Sequence, residues 1–254
     1  MIELKSAQQR EKMRRAGRIV AEVLEILKTR VQAGVRTRDL DEVAEAEIRA
    51  RGGIPAFKGY RGYPASVCVS VNEQVVHGIP GSRVLRRNDL VSLDLGAVVD
   101  GFVGDAAISV FVDGPPNHAA ATLMRVTEAA LWAGIAAAKV GARVGDVSAA
   151  VQEEVEAHGF SVVRDFVGHG VGRAMHEDPQ VPNYGVRGRG ALLRPGLAIA
   201  IEPMVNQGGH EVDVLEDGWT VVTRDGSLSC HFEHTIFVDP QGPEILTQNA
   251  KDLV

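Results

Sequence analysis

Apolar positions along this chain follow a helical period and a strand period in alternating blocks. Between residues 13 and 31 they fall at Met13, Ala16, Gly17, Val20, Leu24, Leu27 and Val31, the three-to-four spacing of one helix face. Ser6 and Gln9 form a capping-box pattern ahead of this stripe, and Gly34 ends it. A second helix is predicted from Thr37, with Leu40, Val43, Ala44 and Ile48 inward and Gly52-Gly53 as its stop. From Pro64 to Val112 the signal is that of strands, until Gly114-Pro115-Pro116 breaks the chain. Asn117 can cap a third helix through Met124, Leu131 and Ile135. A fourth is predicted from about Asp146 to His158, with Gly159 as its stop. The remainder, to Pro243, reads as short strands punctuated by Gly and Pro.

The two blocks match each other. Gly34 and Gly141, Asp39 and Asp146, Glu47 and Glu154, Gly52 and Gly159, and Arg87 and Arg194 are each 107 positions apart. Each half reads as helix, turn, helix, strands, and one strand in each carries an acid, Asp94 or Glu202. A single duplication is not a solenoid, which needs several units. The expectation is an α+β fold with internal pseudo-symmetry, a curved sheet and helices on its outer side. Residues 1–254 would form one domain of two related halves, with binding groups from both meeting on the inner face.

Within the first half, Leu90 to Phe111 reads LVSLDLGAVVDGFVGDAAISVF, two apolar β-prone runs joined at Asp100-Gly101. Asp-Gly is a preferred two-residue hairpin loop. With that turn Val99 faces Phe102 and Gly96 faces Asp105, so Asp94 becomes the diagonal neighbour of Asp105 on one face. Diagonal neighbours lie within roughly 7–8 Å. Two carboxylates so close on an apolar ribbon call for a cation between them or a shared proton; the alternative is two exposed aspartates on a solvated hairpin face, and their small or apolar flanks favour the cation site.

Composition narrows the classes. The 254 residues are 45% hydrophobic and 24% charged, ordinary for a globular protein able to bury a large core. The net charge of −6, with no basic tail, argues against direct nucleic-acid binding. Cys68 and Cys230 are too far apart to read as a zinc ribbon or redox pair. With no signal peptide and no membrane-spanning apolar run, the expected location is the cytoplasm.

Three later segments add ligand-type residues. His169 stands between glycines in FVGHGVGR, Glu202 ends an apolar strand in IAIEPM, and Glu233 lies inside another in CHFEHTIF. A carboxylate in such a run is rarely buried without a partner. Four acids and one imidazole are too many for one divalent ion. Two such ions balance four carboxylates and leave a neutral fifth ligand, which favours a dinuclear site with a position open to water.

The motifs GYPASVCVSVNEQVVHGIP (62–80), SLDLGAVVDGFVGDAA (92–107), VGHGVGRAMHEDP (167–179), AIEPMV (200–205) and DGWTVVTRDGSLSCHFEHTIFV (217–238) resemble the type I methionine aminopeptidases. The likeness covers almost the whole chain, in the family's order. It implies the pita-bread α+β fold, whose two related halves suit the repeat. It also implies that Asp94, Asp105, His169, Glu202 and Glu233 hold two divalent ions, with Asp105 and Glu233 bridging. Cobalt, manganese, iron and zinc all suit an oxygen-rich site without thiolate. A monovalent cation is implied near Asn72 and Ser229.

The reaction so implied is removal of the N-terminal methionine from nascent proteins whose next residue is small. A hydroxide shared by the two ions attacks the first peptide bond, and Glu202 carries the proton. His77 and His176 would hydrogen-bond the substrate. Tyr60, Tyr63, Cys68, Met175 and Trp219 would form the methionine pocket, with Met175 where related enzymes often have phenylalanine. A monomer is implied, with transient ribosome association and no membrane binding. Two rivals share the scaffold. X-Pro aminopeptidases and prolidases usually carry an additional N-terminal domain, which has no counterpart in this sequence. Non-catalytic binding modules typically lose metal ligands, whereas all five positions are intact here.

Overall fold

Leu90–Val99 and Phe102–Phe111 pair antiparallel from end to end in the computed structural model of the chain, which describes residues 2–248. The turn is the one the sequence predicts. Asp100 and Gly101 both have positive φ, 49° and 76°, as a two-residue hairpin loop with the right twist requires. Val99 faces Phe102 and Gly96 faces Asp105.

This hairpin lies in a sheet of nine strands among the described residues. The order runs Ile54–Pro55, Leu90–Val99, Phe102–Phe111, Glu233–Phe237, Ala198–Ile201, Gly168–Gly170, Glu177–Val181. Cys68–Val71 also pairs with Leu90–Val99, and Glu244–Ile245 with Glu233–Phe237. The halves meet where Glu233 pairs with Ala107 and His234 with Ala106.

Four helices cover one face: α1 (Ala7–Arg30), α2 (Thr37–Ala50), α3 (His118–Ala137) and α4 (Val144–Glu156). Alternation sets which residues meet them. Val91, Leu93, Leu95 and Ala97 pack with Val20, Leu24, Leu40 and Ile48 from the first helix pair. Ile199, Ile201 and Ile236 pack with Leu123, Leu131, Val147 and Val151 from the second. Each fully buried aliphatic side chain contributes about 1.5–3 kcal/mol of transfer free energy, and the opposite sheet face is left free for chemistry. At one point α1 touches the sheet backbone directly. A Cβ on Gly104 would lie 2.6 Å from the Gly17 nitrogen, so no larger residue fits there.

The helix starts show the repeat in atomic detail. Ser6 and Gln9 cap α1 reciprocally, and the Asn117 side chain accepts from the Ala120 amide at the start of α3. At α2 and α4 the Arg36 and Arg143 amides donate to Asp39 and Asp146, at 3.0 and 2.7 Å. Asp146 is therefore the third residue of its helix, as Asp39 is of α2. That corrects the start of the fourth helix from Asp146 to Val144, and its end from His158 to Glu156. Among the described residues no helix is long and apolar enough to cross a membrane.

Candidate metal centre and its cavity

On the inner face of the sheet the polar residues fall into two adjacent cross-strand rows. In the first, Cys68 pairs with Asp94, Asp94 with Ala107, and Ala107 with Glu233. Glu202 follows Ile201, the partner of His234, and so stands at the strand end opposite Glu233. In the second row Gly96 pairs with Asp105, Thr235 with Ala200, and Ala200 with His169. Thr235 joins Asp105 to this row by two hydrogen bonds. Its hydroxyl accepts from the Asp105 amide at 3.1 Å and donates to the Asp105 carbonyl at 2.8 Å. Small residues are interspersed with ligand-type residues in both rows, which opens space above the sheet.

The rows form the floor of a cavity of about 280 Å³. All twelve site residues expected from the sequence line it: the five ligand candidates, His77 and His176, and Tyr60, Tyr63, Cys68, Met175 and Trp219. One ligand atom each from Asp105, His169 and Glu233 lies within 4.8 Å of the others. His169 Nε2 is 3.5 Å from Glu202 Oε1 and 3.9 Å from Asp105 Oδ2. Asp94 and Glu202 lie on the same floor but outside this triplet.

A cation fits this arrangement. Asp94 Oδ1, Asp105 Oδ1 and Glu233 Oε1 are buried without a hydrogen-bond partner among the described residues, a state that proteins avoid for carboxylates. Burial drives Asp94, Glu202 and Glu233 well above the usual carboxylate range, and their mutual repulsion adds to it. Burial likewise lifts Asp105 to about 7. His169 is driven the other way, to about 3, by burial and then by His176, so its imidazole is neutral as a ligand must be. Its Nδ1 is hydrogen-bonded to the Gly170 carbonyl at 2.9 Å, which fixes the proton on Nδ1 and leaves Nε2 as the donor atom.

Over this floor stand two imidazoles on turns. His77 has φ +60°, a conformation costing a non-glycine residue about 1–2 kcal/mol. Its neighbour imposes that turn, because Gly78 lies so close to the Cys68–Val71 strand that a Cβ would meet the Val69 carbonyl oxygen at 2.4 Å. Burial and then His176 hold His77 at about 4. His176 is lowered by burial and then by the Arg61 guanidinium. The Tyr60 hydroxyl meets His176 Nδ1 at 2.8 Å, and the two rings stack at 5.4 Å.

The remaining wall is apolar. Tyr63 packs edge-on to Phe57 and Trp219, and its hydroxyl donates to the Val67 and Gly78 carbonyls, so its polar end is satisfied. Cys68 is buried, and burial holds its thiol well above its usual range, which makes it a wall and no nucleophile. Met175 is buried beside Phe57 and Tyr60.

Several contributors were not read from the sequence. Phe57 and Phe166 complete the wall, and Arg61 and Asp165 put charges on the lining. Thr235 could have been found by strand alternation, since it stands two residues after Glu233. His231 is buried with no partner on Nε2 among the described residues, and burial and then His77 lower it to about 3. Asn72 and Ser229 are adjacent, the Ser229 amide donating to the Asn72 carbonyl at 2.9 Å.

Residues 11–240 match metallopeptidase family M24. The chain belongs to that family. It is 52% identical over 247 residues to a methionine aminopeptidase of Clostridium perfringens, covering 97% of this chain and 99% of the relative. Methionine aminopeptidase 1 of Bacillus subtilis is 51% identical over 236 residues, with 93% and 95% covered. The crystal structure of methionine aminopeptidase from Thermotoga maritima superposes with a TM-score of 0.96 at 48% identity, covering 98% of this chain and all of that one. A prolidase from Pyrococcus furiosus, 21% identical with a TM-score of 0.80, covers 97% of this chain and 65% of its own. That last likeness speaks to the shared pita-bread fold alone.

Proposed function

We propose that this M24 metallopeptidase removes the N-terminal methionine from peptides and nascent chains whose next residue is small. Residues 1–254 would act as one catalytic domain of two related halves. The observation that carries the reading is the cavity itself: three buried carboxylate oxygens without a hydrogen-bond partner among the described residues lie on its floor, beside a wall that includes Tyr63, Cys68, Met175 and Trp219. Relatives near 50% identity named for this activity support it.

Asp94, Asp105, His169, Glu202 and Glu233 would hold two divalent ions, cobalt, manganese, iron or zinc. Bound there, such ions would acidify a water and polarise the carbonyl of the first peptide bond. Glu202, 13% exposed at the open end of its row, takes the proton of the attacking water and passes it to the leaving amine. With the Tyr60 hydroxyl donating to Nδ1, His176 carries its proton on Nε2 and donates to the substrate carbonyl as charge develops. His77 supplies the second hydrogen bond. The methionine side chain fills the wall of Tyr63, Cys68, Met175 and Trp219. The thioether of Met175 contributes a polarizable, adaptable surface.

The protein would act as a monomer in the cytoplasm, on chains leaving the ribosome, with no membrane or nucleic-acid partner. Two buried, unpaired cysteines suit that compartment. The Asn72–Ser229 junction would take a monovalent cation through its carbonyls. The test is release of free methionine from a Met-Ala-Ser peptide alongside metal analysis of the purified protein. Cleavage confined to X-Pro peptides would overturn the substrate assignment, and a metal-loaded but inert protein would favour a binding module.

A further inference from the structure

The loop carrying His176 is held from beneath by an ion pair that takes no part in the chemistry above. Lys5, in the segment preceding α1, has a side chain with no exposure, and its Nζ lies 2.6 Å from Glu177 Oε2. A second Nζ hydrogen bond goes to the Glu3 carbonyl at 2.9 Å. The other Glu177 oxygen accepts the Ala174 amide at 3.1 Å, so one carboxylate closes the turn that runs from Ala174 to His176. The Lys5 backbone is itself anchored, its amide donating to the Gly196 carbonyl at 2.7 Å. Gly172 lies against both members of the pair: a Cβ there would meet Lys5 Cε at 2.5 Å and Glu177 Oε1 at 2.6 Å. The Val103 amide, two residues before Asp105, donates to the Gly172 carbonyl at 2.8 Å.

We propose that Lys5 is a positioning residue for His176, acting through Glu177. It touches neither substrate nor metal ligands. A half-buried carboxylate that loses its cation turns out to solvent or draws in water. For Glu177 either response releases the Ala174 amide and the turn next to His176. Tyr60 holds the imidazole from the cavity side, and the Lys5–Glu177 pair holds its backbone from the other. A ring misplaced by about 1 Å costs on the order of 100-fold in rate. The inference rests on the proposed aminopeptidase reading, in which His176 donates to the substrate.

The test compares metal-loaded wild type, Lys5→Met, His176→Ala and the double variant on Met-Ala-Ser. Lys5→Met is expected to lower kcat about 10- to 100-fold at unchanged metal content. In the His176→Ala background the same substitution is expected to change kcat by less than about twofold, because its only route to the chemistry is gone. An equal penalty in both backgrounds would make Lys5 a general stability residue and overturn the proposal. Glu177→Gln, which keeps an oxygen for the Ala174 amide but drops the charge, should show a smaller loss with the same dependence on His176. It carries the test if Lys5→Met fails to fold, and Lys5→Arg should retain most of the rate. Imidazole NMR gives a readout independent of turnover. The His176 ring resonances should shift in Lys5→Met, and unchanged resonances would defeat the positioning role even if the wild type proved inactive on methionine peptides.

Discussion

Four of the five groups on the cavity floor stand on strands paired on both sides, whereas the two imidazoles above them stand on turns beside strand ends. Asp94 and His169 each have a registered sheet partner to left and right, while Asp105 and Glu233 each have one, on strands that are themselves flanked on both sides. His77 follows the Gln74–Val76 strand in a left-handed turn, and His176 precedes Glu177–Val181. The difference follows from what each group must endure. Packed carboxylates repel, and the effective cost of burying such a charge is several kcal/mol unless it is paired. Only a backbone already fixed by the sheet ladder keeps them from turning away. The imidazoles are neutral and bear no such load, so a turn with one or two side-chain props suffices.

Removing a floor ligand should have the largest effect. Asp105→Ala is expected to abolish methionine release and to lower metal content, because Asp105 belongs to the tightest triplet. Metal-free Asp105→Ala should be no less stable than metal-free wild type, since a partnerless buried carboxylate has gone. Near-normal turnover with unchanged metal would show that Asp105 is no ligand.

Metal removal gives the next largest. In the metal-free protein Asp105 titrates near 7 against an ordinary 3.8. A folded-state value above the unfolded one contributes stability that is fully present below about 3.8 and lost as pH rises through about 7. Bound cations keep the carboxylate ionised and cancel that loss. The stability gap between metal-loaded and metal-free protein should therefore widen from pH 4 to pH 8. Unfolding curves with and without chelator across that range measure it. A gap that stays constant would mean the floor releases no protons to the metal.

The same contrast explains what could be read from the sequence. The Asp94–Asp105 diagonal followed from one turn dipeptide and strand alternation, because both residues belong to a single hairpin. The matched acids Asp39 and Asp146 were legible as a repeat, although their function as third-residue caps was visible only in the amide bonds to Arg36 and Arg143. Pairing between distant segments was not legible. Nothing local says that Glu233 pairs with Ala107 or that Thr235 grips Asp105 across 130 positions. The same holds for Lys5 and Glu177, which meet across 172 positions. The methionine wall was reached through family likeness, since aromatic residues on loops carry no periodicity.

At the rim the effects should be smaller and separate from metal binding. His77→Ala is expected to lower kcat by roughly 100- to 1,000-fold, the usual cost of one preorganised donor, with metal content unchanged. Metal analysis beside the kinetics decides the matter. Loss of metal would move His77 into the ligand set and erase the distinction between floor and rim.

Tyr60→Phe should have the smallest effect, because it removes one atom from one prop. The phenyl ring can keep its stacking on His176, at 5.4 Å and 22° between planes, while the 2.8 Å hydrogen bond to Nδ1 is lost. One neutral hydrogen bond is worth about 0.5–1.5 kcal/mol, so kcat should fall by about two- to tenfold. KM and metal content should stay close to wild type. Tyr60→Leu removes stacking as well and should cost more than Tyr60→Phe. If the two variants match, the hydroxyl alone orients His176 and the stack is incidental. If Tyr60→Phe matches wild type and Tyr60→Leu does not, the ring is held by packing, and the proton on Nε2 is set by some other group.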